Sequence, residues 1–371
     1  MTLFPALDPI PLPGPVWLFK ILHVVTLALH FVAVEILLGG LAVALVLALS
    51  RRGSPSAALR LNASAALGRR LPIVMTYVIN LGVPPLLFAQ VLYGRALYTS
   101  SILIGVWWIA VILLLIGCYW HIYRFTAKMD EGRRAWPMAL ISLALALLIS
   151  RIYSTNMTLM LHPEAWQALY ASSAVGAQLP AVDPALMPRW LFMLVGGLSA
   201  CGLYMIWLAG LKSIETGVRT YLSAMGGRIA VAALAVQVFL AFRFFAAQPD
   251  AIGQALMRDA YFRGAALVWI TGTVLLGLLA AWCAVGRPTS RLPGWLALGL
   301  GLVTMLGIAT CRDVLRDVTL LSHGFNVWDR HEVSNWPVIV LFLICFVAGL
   351  GCMAWLVSVF RRAKPVVEKS V

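Results

Sequence analysis

Charge is scarce in this 371-residue chain. Charged residues make up 11% of it, and only 14 are acidic. A soluble domain carries about 25% charged residues, so an ordinary water-soluble enzyme is excluded. A disordered chain is excluded too, since it needs low apolar content. The six cysteines (Cys118, Cys201, Cys283, Cys311, Cys345 and Cys352) fall in or beside apolar runs, and no C-x-x-C-H motif occurs. Covalent c-type haem and a disulfide framework are therefore unsupported. No Walker or G-x-G-x-x-G loop, no repeat at a fixed period and no separate soluble domain is visible. The strict apolar–polar alternation of an outer-membrane barrel is also missing.

What the chain has in excess is apolar residues: 62%, with a mean hydropathy of +0.92. They cluster in runs of roughly 20, the length that crosses about 30 Å of hydrocarbon. The expected fold is an all-α polytopic transmembrane helix bundle, a single integral membrane domain over residues 1–371. Nine spans are expected: Trp17–Leu49, Leu71–Tyr93, Ser100–Phe125, Ala135–Leu159, Trp190–Leu211, Arg228–Ala246, Gly264–Val285, Leu292–Cys311 and Trp336–Phe360. They fall into a four-helix part (17–159), a second part (190–311) and a last span (336–360). Gly82, Pro84 and Pro85 interrupt the second span, which predicts a kink or a re-entrant segment.

The formal charge of +14 invites a nucleic-acid reading, but its placement argues against one. Of the 28 Lys and Arg, 18 fall on one set of loops, from Arg51, Arg52, Arg60, Arg69 and Arg70 through Arg124, Arg134, Lys212 and Arg291 to Lys364 and Lys369. Eight, among them Lys20, Arg95 and Arg189, fall on the other side. The positive-inside rule then puts the N-terminus outside and the C-terminus in the cytoplasm, with a basic collar facing anionic lipid. The opening stretch is Pro-rich, includes Pro9, and lacks a basic n-region, so the first span is expected to be retained.

Ionisable residues inside a bilayer are functional candidates by default. His23 and His30 lie seven apart, two turns along one face of the first span. They read either as polar residues bonded between helices or as axial ligands of a haem iron. Glu35 reads as a neutral acid bonded to a neighbouring helix, or as a proton-path member or a cofactor neighbour. Arg151 and Arg243 need a partner: a haem propionate, Glu35 or an outer-loop Asp. His162, His323 and His331 lie on outer loops without metal-ligand spacing, so solvated or propionate-contacting roles suit them. His121 sits in an interfacial aromatic belt. Arg312, Asp313, Arg316 and Asp317 end the eighth span with both arginines on one face. They read as a surface ion-pair ladder, or as a grip on haem propionates or an acidic partner.

Several stretches resemble subunit I of the cytochrome bd quinol oxidase superfamily, a nine-span family with its N-terminus outside. Leu22 to Phe31, followed by Gly39, is similar to its first helix, where a His-Phe pair carries a haem ligand, and His30 falls on that position. Asn80-Leu81-Gly82-Val83 through Phe88-Ala89-Gln90 to Gly94 resembles its Gly-rich second helix. Asn156 to Met160, then His162-Pro163, resembles its Asn-Gly-Trp-Met-Gln-x-Pro. Arg263 after Tyr261-Phe262 matches the start of a helix near its quinol site. The resemblance implies one or two b-type haems, with haem d as an option, and the iron ligated by His30 and His23. It implies Arg151, Arg243, Arg312, Arg316 and His162 near the cofactor, Glu35 in a catalytic role, and the bacterial inner membrane as the location.

The departures are as informative. The family's haem-ligating His early in the fifth span meets Trp190-Leu191-Phe192-Met193, and its Met partner meets Ala265. Its second-helix glutamate meets Ala89–Gln90, another glutamate meets Thr310-Cys311-Arg312, and the long quinol loop is missing. The expectation is a divergent haem-binding subunit of a cytochrome bd-like oxidoreductase. It would move electrons from a periplasmic c-type cytochrome or quinol, beside other membrane subunits in the lipid bilayer, to an acceptor such as oxygen. The rivals are a cofactor-free structural subunit of a respiratory complex and a transporter, though no inverted repeat supports the latter.

Overall fold

The computed structural model describes residues 4–6, 11–50, 56–131, 133 and 135–362. Pro9, Arg51, Arg52, Arg134, Lys364 and Lys369, invoked above, lie outside the described residues. Twelve α-helices follow in order among those described. They are α1 (Val16–Ala48), α2 (Ala57–Gly68), α3 (Leu71–Leu103), α4 (Gly105–Asp130), α5 (Trp136–Leu159) and α6 (Trp166–Ser172), then α7 (Leu186–Ala209), α8 (Thr216–Ala246), α9 (Asp250–Arg258), α10 (Ala260–Gly286), α11 (Leu292–Ser322) and α12 (Trp336–Arg362). Nine segments are long and apolar enough to cross a membrane, with α2 and α3 together making one of them. The protein is thus an all-α polytopic bundle; no strand occurs among the described residues, only one isolated bridge between Leu12 and Glu332.

α1 is the hub, packed against α2, α3, α5, α7 and α11. Its crossing with α7 is set by size: a methyl group on Gly39 would overlap the Gly197 carbonyl, so the two backbones touch. Gly202 and Gly226 play the same part between α7 and α8. In lipid, apolar attraction between helices is weak, and close backbone approach through small residues supplies packing instead. α4 presents Ile109, Leu113 and Ile116 outward, and α12 is more exposed still.

Three spans differ from expectation; α8 begins at Thr216, twelve residues before the expected Arg228. α3 passes through Pro84 and Pro85 without ending, and its one non-helical residue is Tyr93 (φ −123°, ψ 21°). The second span is therefore a kinked helix, and it runs ten residues past its expected end. α11 runs eleven residues past Cys311 and stops just before Gly324, whose φ of +83° suits a helix terminator. The Arg312–Asp317 segment is consequently the interior of a helix, and the surface-ladder reading is corrected: Asp313 and Arg316 are each 4% exposed.

The loops gather at two ends. At the end where α1 begins, Leu12 N–H donates to the His331 carbonyl (2.8 Å) and Val16 N–H to Glu332 Oε1 (2.8 Å). There Phe4 rests on Trp166 and Phe325, and Arg95 lies over both phenyl rings. At the opposite, basic end, Arg69 bonds Asp130 (2.7 Å) and Arg219 donates to the Ala209 and Thr289 carbonyls.

Replacing Gly39 with Leu is expected to lower stability by about 1–3 kcal/mol through overpacking. Gly299→Leu, with open space around it, is expected to change it by less than about 0.5 kcal/mol. Thermal unfolding in detergent reads both, and equal losses would refute the tight α1–α7 crossing.

Candidate functional site

The chemistry gathers where α1, α3 and α11 meet. Lys20, one turn into α1, is buried at 7% exposure. Its ammonium lies 2.5 Å from both Asp313 Oδ2 and Asp317 Oδ2 and donates to the Tyr93 hydroxyl (2.8 Å). The Tyr93 hydroxyl in turn donates to Asp317 Oδ1 (2.7 Å). Arg316 stacks over the Tyr93 ring, 4.6 Å from its centroid, lies 3.6 Å from Asp313 and donates to His23 Nε2 (2.9 Å). His23 Nδ1 lies 3.1 Å from the Pro85 carbonyl, which fixes it as the N–H donor. Two cations face two carboxylates, so the group is neutral as a whole. The kink at Tyr93 is what lets α3 turn this hydroxyl between α1 and α11.

Beside the network lies an apolar cavity of about 170 Å³ between α1, α7, α8, α10 and α11. Its walls include Phe31, Phe192, Met193, Phe244, Trp269 and Met305. Three arginines (Arg189, Arg312, Arg316) and one carboxyl (Glu35) also line it. Arg312 lies over the Phe31 ring at 5.1 Å. Neither Arg189 nor Arg312 has a carboxylate within salt-bridge distance among the described residues. Glu35 is buried and forms no ion pair among the described residues. It faces Gly196, where an added Cβ would stand 2.6 Å from Glu35 Oε1 and 2.7 Å from Gln237 Nε2. Gln237 is held from its other end by the Ser199 hydroxyl (3.2 Å). The cavity is thus a greasy pocket with three guanidinium groups and one carboxyl on its walls.

The residues singled out from sequence fall in different places. Arg312, Arg316 and Glu35 converge on the cavity; Arg316 also reaches His23. His30 does not line it. Its ring presses on Gly82, whose added Cβ would lie 2.8 Å from His30 Cε1, and its Nδ1 is buried with no hydrogen-bond partner. Arg151 donates to the Thr155 hydroxyl of its own helix, not to Glu35 or an Asp. Arg243 is exposed and His331 too. His121 donates along its own helix to the Gly117 carbonyl (2.7 Å). His162 sits in an outer carboxylate cluster, Nε2 at 3.0 Å from Asp183 and Nδ1 at 2.8 Å from Glu164, with His323 3.7 Å from Glu164.

Lys20, Tyr93, Arg189 and Gln237 join the site from outside the sequence-based candidates, and Asp313 and Asp317 enter it as partners of Lys20. A signal for Lys20 existed: it stands three residues before His23 on an otherwise apolar helix. The two aspartates stand four apart with no Gly or Pro until Gly324, which marks them as helical. Nothing in sequence points to Arg189 or Gln237.

A haem held between His23 and His30 does not fit this arrangement. Both nitrogens of His23 are engaged, and the His30 ring meets α3 at Gly82. The 170 Å³ cavity lies well below the roughly 300–1,000 Å³ of drug-sized ligand pockets. A scan of known protein-family models finds no match to the chain. A search of curated proteins finds no significant one either.

Two outcomes are expected. Lys20→Ala leaves the buried Asp313 and the half-buried Asp317 carboxylates without their shared cation and should cost about 3–5 kcal/mol, the usual penalty for breaking a buried pair; a loss under about 1 kcal/mol in detergent unfolding would refute the network's role. The Asp183 and Glu164 carboxylates hold His162 above its ordinary 6.5. A histidine raised on folding adds stability that is complete below pH 6.5 and lost as pH rises through the raised value. Unfolding midpoints should therefore fall as pH climbs above 6.5, and His162→Ala should flatten that slope.

Proposed function

We propose that the chain is a membrane subunit of a cytochrome bd-like oxidoreductase and that its arginine-lined cavity holds the head of a quinol-type, lipid-soluble substrate. The observation that carries this reading is the convergence of Arg189, Arg312 and Glu35 on one apolar cavity, none with an ion-pair partner among the described residues. The size supports it: an engineered apolar cavity of about 150 Å³ takes a benzene ring, and 170 Å³ suits one substituted ring. The redox assignment draws on the resemblance of the first, second and fourth spans.

In this reading the guanidinium groups of Arg189 and Arg312 donate hydrogen bonds to the substrate oxygens. Their charge, in a low-dielectric site, favours the deprotonated hydroxyl. Glu35 receives the released proton. The phenyl, indole and thioether walls exclude water and strengthen both effects. Oxidation to the quinone also releases a second proton, to water at the outer face, and the two electrons leave one at a time to a carrier on a partner subunit or a soluble c-type cytochrome. The excess of basic residues on the loops supports a cytoplasmic setting for the Arg69/Arg219 end; in a bacterial inner membrane the cavity would then sit in the outer leaflet.

One observation favours a second reading: the unpartnered Nδ1 of His30 is free to ligate a haem iron if α1 and α3 part. Protein purified with haem supplied would then show a Soret band that His30→Ala abolishes, and a colourless protein would reject it.

For the quinol reading, a short-chain quinone should quench the fluorescence of Trp269, isolated by difference from Trp269→Phe, in a saturable manner. Arg312→Gln should weaken that binding roughly 10- to 100-fold, matching a charge-assisted hydrogen bond of about 1.5–3 kcal/mol. Unsaturable quenching, or unchanged affinity in Arg312→Gln, rejects the proposal.

A further inference from the structure

A second and larger hollow opens at the basic end. It has a volume of about 1160 Å³ and runs between α1, α2, α3, α7 and α11. Its two halves differ in chemistry. The deep half is apolar: Leu29, Val32 and Ile36 of α1, Leu81 of α3, and Leu298 and Leu302 of α11. The mouth carries Arg69, Arg70, Lys212 and Arg291, with Glu215 as the one carboxylate lining it.

The cations are differently committed. Arg69 is bonded to Asp130 and Arg70 donates to the Ala66 carbonyl. Lys212 and Arg291 form no ion pair among the described residues. The two segments that carry them are braced against each other: Arg219 donates to the Ala209 and Thr289 carbonyls, and a Cβ on Gly210 would stand 3.0 Å from Arg291 Cα. Tyr204 and Trp207 stack at 5.6 Å on the wall between the two halves. Aromatic rings at that level are where headgroup meets hydrocarbon.

We propose that this groove binds one anionic phospholipid, its phosphate held by Arg70, Lys212 and Arg291 and an acyl chain laid along α1 between α3 and α11. Three features favour a lipid over a soluble anion. The basic mouth continues without interruption into an apolar trough. The trough lies among membrane-spanning helices, where a water-soluble ion has no partner. The volume exceeds the upper end, about 1,000 Å³, of ordinary small-molecule pockets, as a two-chain amphiphile requires. Basic pockets between transmembrane helices are known sites for anionic headgroups. The site is separate from the arginine-lined cavity near Glu35 and does not depend on what that cavity binds.

The test uses the purified, delipidated full-length chain and native mass spectrometry with phosphatidylglycerol and phosphatidylethanolamine of identical chains. One phosphatidylglycerol should remain bound per chain under activation that strips phosphatidylethanolamine. The triple variant Arg70→Gln, Lys212→Gln, Arg291→Gln should bind it at least tenfold more weakly, while Arg124→Gln, outside the groove, should not change it. Leu302→Trp fills the trough and keeps every charge; it should also lose at least tenfold, and it decides the matter should the triple variant misfold. Equal retention of both lipids, undiminished binding by Leu302→Trp, or full competition by inorganic phosphate would overturn the proposal.

Discussion

The ionic knot of Lys20, Tyr93, Asp313, Asp317, Arg316 and His23 sets the register of α11 against α1 and α3, and the cavity depends on that register. Taking a charge out of water costs several kcal/mol even after relaxation. Here each cation meets a carboxylate, the tyrosine hydroxyl takes its place in the chain, and His23 uses both nitrogens. In lipid, where apolar side chains have no reason to prefer each other over acyl tails, such polar contacts and close backbone crossings hold helices together. Because Arg316 is pinned by Asp313 and His23, its helical neighbour one turn earlier, Arg312, is turned toward Phe31 and the cavity.

The polar groups therefore divide into two kinds. Those in the knot are mutually satisfied and serve architecture. Those in the cavity, the buried Glu35 and the half-buried Arg189 and Arg312, have no counter-charge within salt-bridge distance among the described residues and remain available to something from outside the chain. The same division holds at the basic end, where Arg219 is spent on loop carbonyls and Lys212 and Arg291 are not. Function is proposed where the charges are unspent.

Hydropathy made the nine spans legible, because each must satisfy the same thickness of hydrocarbon. The second span's proline pair was legible as a kink, although the irregular dihedral falls at Tyr93, eight residues beyond Pro85. The end of α11 was not legible: Arg312 to Asp317 looks like a water-facing helix end until Lys20 is known to face it. Spacing shows which residues share one helix face, but not which distant helix supplies the opposite charge. For that reason His23 looked equivalent to His30, whereas one is saturated with hydrogen bonds and the other has a bare nitrogen. Arg312 and Arg316 were recognised as a gripping pair without their pocket, and Arg189 was passed over because its role exists only where α7 meets α11.

Lys20 precedes its carboxylates by 293 and 297 residues. At about 5–20 residues per second of synthesis, roughly 15–60 s separate their appearance. Through that interval the nascent first helix holds an ammonium with no carboxylate to meet it. Its resting place until then is the water interface or the lateral opening of the insertion machinery, and Glu332, which caps Val16, arrives later still. Biogenesis of this bundle is thus a ring closure, in which the earliest helix is the last to be finished.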